Sequence, residues 1–140
     1  MSYLKIKFLR DPTVEQIKQI TDLYRKAGWW DDENDNPERV AGIVDGSHGF
    51  CVGMINDTIV AMGRAISDGI SDAYIQDVTV DENQRGQGIG TKIVEMLVHR
   101  LENDGLGWIG LIAERGTTRF YKPMGFKKMP DSAPMLRIGS

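Results

Sequence analysis

Val78-Thr79-Val80-Asp81-Glu82-Asn83-Gln84-Arg85-Gly86-Gln87-Gly88-Ile89-Gly90-Thr91 is the stretch on which the reading of this chain turns. It runs from an apolar strand, through a polar loop, into an amphipathic helix. Three glycines at alternating positions expose several backbone N–H groups where that helix begins. Such groups converge at the positive end of a helix and suit phosphate oxygens. A side chain there would hold a ligand away from the backbone, and Arg85 adds a cationic arm. A plain helix cap needs one small polar residue, not three spaced glycines.

Three phosphate-binding patterns compete for this loop. A P-loop requires G-x-x-x-x-G-K-[ST]. Here Thr91 follows Gly90 and Lys92 comes after it, so the lysine is displaced. A dinucleotide site requires G-x-G-x-x-G directly after a strand, with an acid at the end of the next one. Glu114 stands at such a place, but the glycines are spaced G-x-G-x-G and a polar run separates them from Val80. The third pattern, R-x-x-G-x-G after a V-x-V strand, is the one the residues match.

Outward from the loop, the periodicities give an ordered set of elements. Residues 3–9 mostly alternate apolar and charged, as in a half-buried strand. Thr13, with Gln16 three residues on, predicts a capping box before a helix carrying Val14, Ile17, Ile20, Leu23 and Tyr24. A second short helix is expected from Pro37, capped by Asn36. Residues 49–55 and 59–66 read as strands joined by a turn at Asn56-Asp57-Thr58, and 73–80 as a third. In that third strand Tyr74, Gln76, Val78 and Val80 are expected on one face, and Asp77 on the other. The helix after the loop has Ile89, Ile93, Leu97 and Leu101 along one side. A strand at 108–113, a short helix near 117–122 and two short strands near 126–129 and 135–138 complete the order. This describes a mixed α/β domain, with one parallel βαβ unit joining 73–80 to 108–113.

Composition bounds the function. The 140 residues make one domain, 1–140, with 41% hydrophobic and 26% charged residues, as expected of a packed globular chain. A net charge of −3 does not nominate nucleic acid as a partner. No run approaches the roughly 20 apolar residues of a membrane span, and no secretory leader is evident, so a cytoplasmic location is expected. The single Cys51 excludes an internal disulfide and reads as a buried thiol. No cluster has metal-ligand spacing, so no metal is expected.

A second motif joins the loop: Phe120-Tyr121-Lys122-Pro123-Met124-Gly125-Phe126. Together, in this order, the two resemble the acetyl-coenzyme A loop and the F-Y-x-x-x-G-F segment of the GNAT (GCN5-related N-acetyltransferase) superfamily. The resemblance implies a mostly antiparallel twisted sheet of six to seven strands with about four helices, and acetyl-CoA as cosubstrate. It assigns Val78, Thr79 and Val80 to the pantetheine arm through a strand that splays from its neighbour, though the valines can equally be core residues. It assigns Arg85, Gly86, Gln87, Gly88, Ile89, Gly90 and Thr91 to the pyrophosphate, and Thr117 and Phe120 to the cofactor's surroundings. Tyr121 takes the place that often protonates the departing thiolate, the plainer alternative being a tyrosine that only packs on the cofactor.

The amine must reach the thioester neutral. Where some members of the superfamily carry a glutamate, this sequence has Gln76, which is no base, so the expectation is removal of the proton through water held by Gln76 or Tyr74. His48 is an alternative base on pKa grounds. Acceptor recognition is expected from Trp29 and Trp30, with the acidic run Asp31-Asp32-Glu33-Asn34-Asp35 drawing in a cation, and from Asp77. Short stretches around Leu23-Tyr24, Gly28-Trp29 and Ile75-Gln76-Asp77 resemble the aralkylamine (serotonin-type) branch, which implies a small primary amine as acceptor. A protein amine or a non-catalytic acyl-CoA-binding module are the other readings, and a homodimer is expected from the C-terminal strands.

Overall fold

The computed structural model describes residues 3–31 and 37–138. The expected cap at Asn36 and the acids at 32–35 lie outside the described residues. The elements run β1 (Leu4–Phe8), α1 (Val14–Lys26), α2 (Pro37–Gly46), β2 (Gly49–Ile55), β3 (Thr58–Ser67), β4 (Asp72–Val80), α3 (Ile89–Asn103), β5 (Trp108–Leu111) and α4 (Thr118–Tyr121), with short 3-10 turns at Glu82–Gln84 and Lys122–Met124. The capping box forms as read: Thr13 Oγ1 accepts from the Gln16 amide at 3.1 Å, and Gln16 Oε1 from the Thr13 amide at 2.9 Å.

The sheet has the order β1-β2-β3-β4-β5, antiparallel except for the parallel pair β4/β5. Asn56 and Asp57, at φ 50° and 64°, make the two-residue hairpin turn between β2 and β3. One face is covered by α3, whose Ile89, Ile93, Leu97 and Leu101 pack with Ala61, Ala65, Ala73 and Ile75. The other is covered by α1 and α2, whose Ile20, Leu23, Val40 and Val44 pack with Phe50, Val52, Met54 and Met62. Cys51 is fully buried in the α3-side core.

Two expectations are corrected. The sheet has five strands rather than six to seven, because 126–129 and 135–138 form no ladder. Pro130 and Pro134, which border the two stretches, have no N–H to give a ladder, and every residue from 127 to 138 is exposed. The alternation of β4 also fails. Met62 pairs with Thr79 but Arg64 pairs with Gln76, so Asp77 and Val78 together oppose Gly63. This bulge shifts the side-chain parity by one. Ala73 and Ile75 face α3 before it, Val78 and Val80 face α3 after it, and Asp77 turns to the α1 face.

Candidate active site

Pairing of β4 with β5 runs from Asp72–Trp108 to Ile75–Leu111 and ends there. Beyond that point β4 continues to Val80 with no strand partner on its β5 side among the described residues, so the parting of the ladder leaves one side of a slot unpaired. The bulge at Asp77 sits just past the point of parting.

The glycine loop closes one end of the slot. Gly86 and Gly88 lie at φ 80° and 77°, where other residues are strained, and the space a Cβ would fill is empty at both. Gly88 is the N-cap of α3 and no side chain caps that helix end. The Lys92 amide is already bonded to the Gly88 carbonyl at 3.2 Å, so the amides of Ile89, Gly90 and Thr91 precede the first intrahelical donor. Three open amides beside two left-handed glycines make a concave nest for an anion. Arg85 folds back, its Nε donating to the Val80 carbonyl at 3.1 Å. Gly90 serves packing instead: a Cβ there would lie 3.2 Å from the Phe120 ring and 3.4 Å from Val80. Thr117 holds its own loop, its Oγ1 donating to the Glu114 carbonyl at 2.7 Å.

Tyr121 ends α4 and packs edge-on against Phe120 at 4.8 Å and Phe126 at 5.7 Å. Burial, and secondarily the charge of Glu114, raise its hydroxyl above the usual tyrosine pKa of 10.0. The phenol therefore stays protonated at neutral pH, and no side chain among the described residues bonds its oxygen.

On the α1 face, Asp77 is fixed by two donors to one oxygen. Tyr24 Oη donates to Asp77 Oδ2 at 2.8 Å, and Arg64 Nε donates to the same atom at 2.7 Å. Its Oδ1 has no protein partner among the described residues. Asp77 lies at φ 58°, a region that Asp tolerates better than most residues. Burial, and then the neighbouring Asp77 charge, raise the Tyr24 pKa far above its ordinary value, so that hydroxyl is a permanent donor. Neither Arg64 nor Tyr24 stands out from periodicity alone. The signal that could have found the arrangement is Gly63, an isolated glycine inside an apolar strand, which marks a bulge or a close approach.

The two tryptophans support Tyr24. Trp30 stacks on its ring at 4.1 Å and 9°, Trp29 tilts against it at 6.0 Å, and the Arg39 guanidinium lies 5.9 Å from the Trp30 ring. Gln76 and Tyr74 are exposed on the sheet. His48 is far from the slot. Its Nε2 lies 2.7 Å from Asp104 Oδ2 at the C-terminal end of α3, whereas the slot is at the N-terminal end of that 15-residue helix, about 20 Å away. Two contacts tie the end of α1 to the slot's surroundings: Lys26 Nζ with Asp81 Oδ2 at 3.2 Å, and Arg115 Nη1 with the Ala27 carbonyl at 3.4 Å. Among the described residues no three potential metal ligands come together, and no helix is long and apolar enough to cross a membrane.

A β4/β5 pair that parts, an anion nest at the following helix and a half-buried neutral tyrosine, joined to the loop through Phe120, are features of an acyl-CoA-dependent transferase. The chain matches the model of the Acetyltransferase (GNAT) family over residues 14–126, and it belongs to that family. Among curated proteins it is 40% identical over 73 residues to the GCN5-related N-acetyltransferase 2, chloroplastic, of Arabidopsis thaliana, covering 52% of this chain and 28% of that one. It is 38% identical over 73 residues to the serotonin N-acetyltransferase 2, chloroplastic, of Oryza sativa subsp. japonica, covering 52% and 36%. The matches therefore span about a third of those relatives' own lengths. Among solved structures, a probable acetyltransferase from meticillin-resistant Staphylococcus aureus superposes with a TM-score of 0.81 at 22% identity, over 98% of this chain and 100% of that one. Glucosamine-6-phosphate N-acetyltransferase from Arabidopsis thaliana gives 0.79 at 22%, over 99% of each. At such identities the likeness concerns the fold alone.

Proposed function

We propose that this chain moves the acetyl group of acetyl-CoA to a primary amine of a small molecule. The observation that carries the reading is the slot itself, with the anion nest at one end, Asp77 on its acceptor side and the Tyr121 phenol beside it. The nest at Gly86 and Gly88 and the first amides of α3 suit a pyrophosphate, and the strand-free edge of β4 up to Val80 suits a pantetheine amide chain. Acetyl-CoA supplies the electrophile, a thioester carbonyl with a thiolate leaving group.

Asp77, which the bulge turns to the α1 face, is a candidate base beside the expected water held by Gln76 or Tyr74. Its open Oδ1 attracts the ammonium and takes one proton from it, directly or through a water held by Gln76 or Tyr74. The neutral nitrogen then attacks the carbonyl carbon, the C–S bond breaks, and Tyr121 gives its proton to the sulfur. Solvent afterwards reprotonates Tyr121 and accepts the proton from Asp77. A thiol leaves more readily when a donor is in reach, an effect of about 10²–10⁴-fold for a positioned acid.

The test is thiol release from acetyl-CoA across arylalkylamines, alkylamines, polyamines, aminoglycosides and peptides, with Tyr121→Phe alongside. Turnover of small amines that falls at least tenfold in kcat in the variant, with acetyl-CoA still bound, supports the reading. Turnover confined to peptides moves the acceptor to protein amines. Acetyl-CoA binding without turnover of any class leaves a binding module. The same reading includes a homodimer, supported by the exposed C-terminal segment.

A further inference from the structure

The α1/α2 face of the sheet is packed over β2 and β3, while on β4 and β5 two large side chains of that face stay open to water beyond the Tyr24–Asp77 contact. There Tyr74 is 46% exposed and Trp108 is 41% exposed, their rings edge-to-face at 5.2 Å. Side chains on a sheet usually stand away from it, yet the indole of Trp108 lies down along its own strand. It reaches two residues onward and covers Gly110: a Cβ at Gly110 would sit 2.7 Å from Cη2 and Cζ3 of that ring, and 3.5 Å from Tyr74 Cε1. Only a residue without a side chain permits this posture. Gly110 pairs with Tyr74, and the next pair, Ile75 with Leu111, is the last before the strands part. The indole is therefore a flat wall aimed at the mouth of the slot.

Charge lies at the far end of the same surface. Asp77 follows Tyr74 by three residues, about 10 Å of strand, and offers Oδ1 without a protein partner. Trp29 and Trp30 are occupied in holding Tyr24. We infer that Trp108, laid over Gly110 and edge-on to Tyr74, is the platform for the apolar body of the acceptor, and selects primary amines that carry a flat ring. The inference rests on the small-amine reading above. Ring and ammonium in one molecule complement the two ends of the surface, since aromatic rings favour offset or edge contacts and the carboxylate takes the cation.

The experiment compares 2-phenylethylamine with n-butylamine, equal in charge, on the wild type, Trp108→Ala and Gly110→Ala. The wild type is expected to favour the aryl amine in kcat/KM, and both variants to cut that ratio at least tenfold, chiefly through KM. Gly110→Ala keeps the indole but lifts it. Indole N–H resonances of the CoA-bound protein are followed during titration with 2-phenylethylamine, with Trp108 assigned by its loss in Trp108→Phe. A shift at Trp108 that n-butylamine does not cause supports the platform. An unchanged aryl-to-alkyl ratio, a shift confined to Trp29 and Trp30, or a change of oligomeric state in Trp108→Ala overturns it. If the wild type acetylates n-butylamine but the ratio ignores Trp108, the platform falls and the acetyltransferase reading stands. If no small amine is acetylated, that reading falls, and the Trp108 resonance still decides the platform.

Discussion

Tyr24, Tyr121 and Cys51 show how burial keeps a group protonated, and Asp77 how a local irregularity aims one. Asp77→Asn keeps a residue that accepts a left-handed backbone and an oxygen for Tyr24 and Arg64, but removes the charge. Its kcat/KM for amines is expected to fall at least a hundredfold, within the range of a lost proton acceptor, while calorimetry gives unchanged acetyl-CoA binding. In the proposed reaction Tyr121 acts in its protonated form, and its pKa is raised by burial and then by Glu114. Activity that depends on it is therefore expected to fall with a midpoint above the ordinary tyrosine value of 10.0, so kcat measured against pH should show a late alkaline limb that is missing in Tyr121→Phe. The Cys51 thiol is pushed up to about 12 by burial alone. A thiol reagent at about pH 8 should leave the native protein unmodified and react only after unfolding, because the thiolate is the reactive form.

At the scale of the element, the β4 bulge sets the direction of Asp77. It carries Asp77 from the face that strict alternation assigns it to the one shared with α1. Gly63, opposite, is pressed under α3: a Cβ there would meet Ile93 Cγ2 at 2.8 Å, Val78 Cγ2 at 3.1 Å and Leu97 Cδ1 at 3.2 Å. Gly63→Ala should destabilise the fold by about 1–3 kcal/mol, the usual effect of overpacking, read as a lower denaturant midpoint at unchanged slope. The same elements show what a sequence can reveal. The Thr13–Gln16 capping box, the glycine loop before α3 and the Asn56-Asp57 turn were legible because each is local. Elements β1 to β4 and the parallel β4/β5 pair followed from periodicity and order. The direction of Asp77 was not legible, because it depends on how Gly63 pairs across the sheet. The platform at Trp108 was missed for the same reason, since Gly110 and Tyr74 meet only in the folded ladder.

At the scale of the whole molecule, the exposed tail bears on assembly. Residues 127–138 leave the body after Phe126, which is still packed against Tyr121, and remain exposed throughout. Met135, Leu136 and Ile138 are 93%, 84% and 82% exposed. Soluble chains rarely leave a run of large apolar side chains in water without a partner surface. The outer edge of β5 ends the sheet with a row of main-chain groups that have no strand beside them, the arrangement to which an extended segment adds. In this fold the segment does not pair with its own edge, and a second copy related by a two-fold axis is the partner with which tails would be exchanged. Pairing along the edge of β5 would leave the face carrying Trp108 and Tyr74 open to an acceptor. Light scattering should give twice the 15.7 kDa chain mass for the full chain, and the single mass once residues 127–140 are removed, with far-ultraviolet dichroism showing that the remaining sheet and helices persist. A full chain that stays at the single mass at micromolar concentration overturns the exchange, and the exposed tail would then need a partner other than this chain.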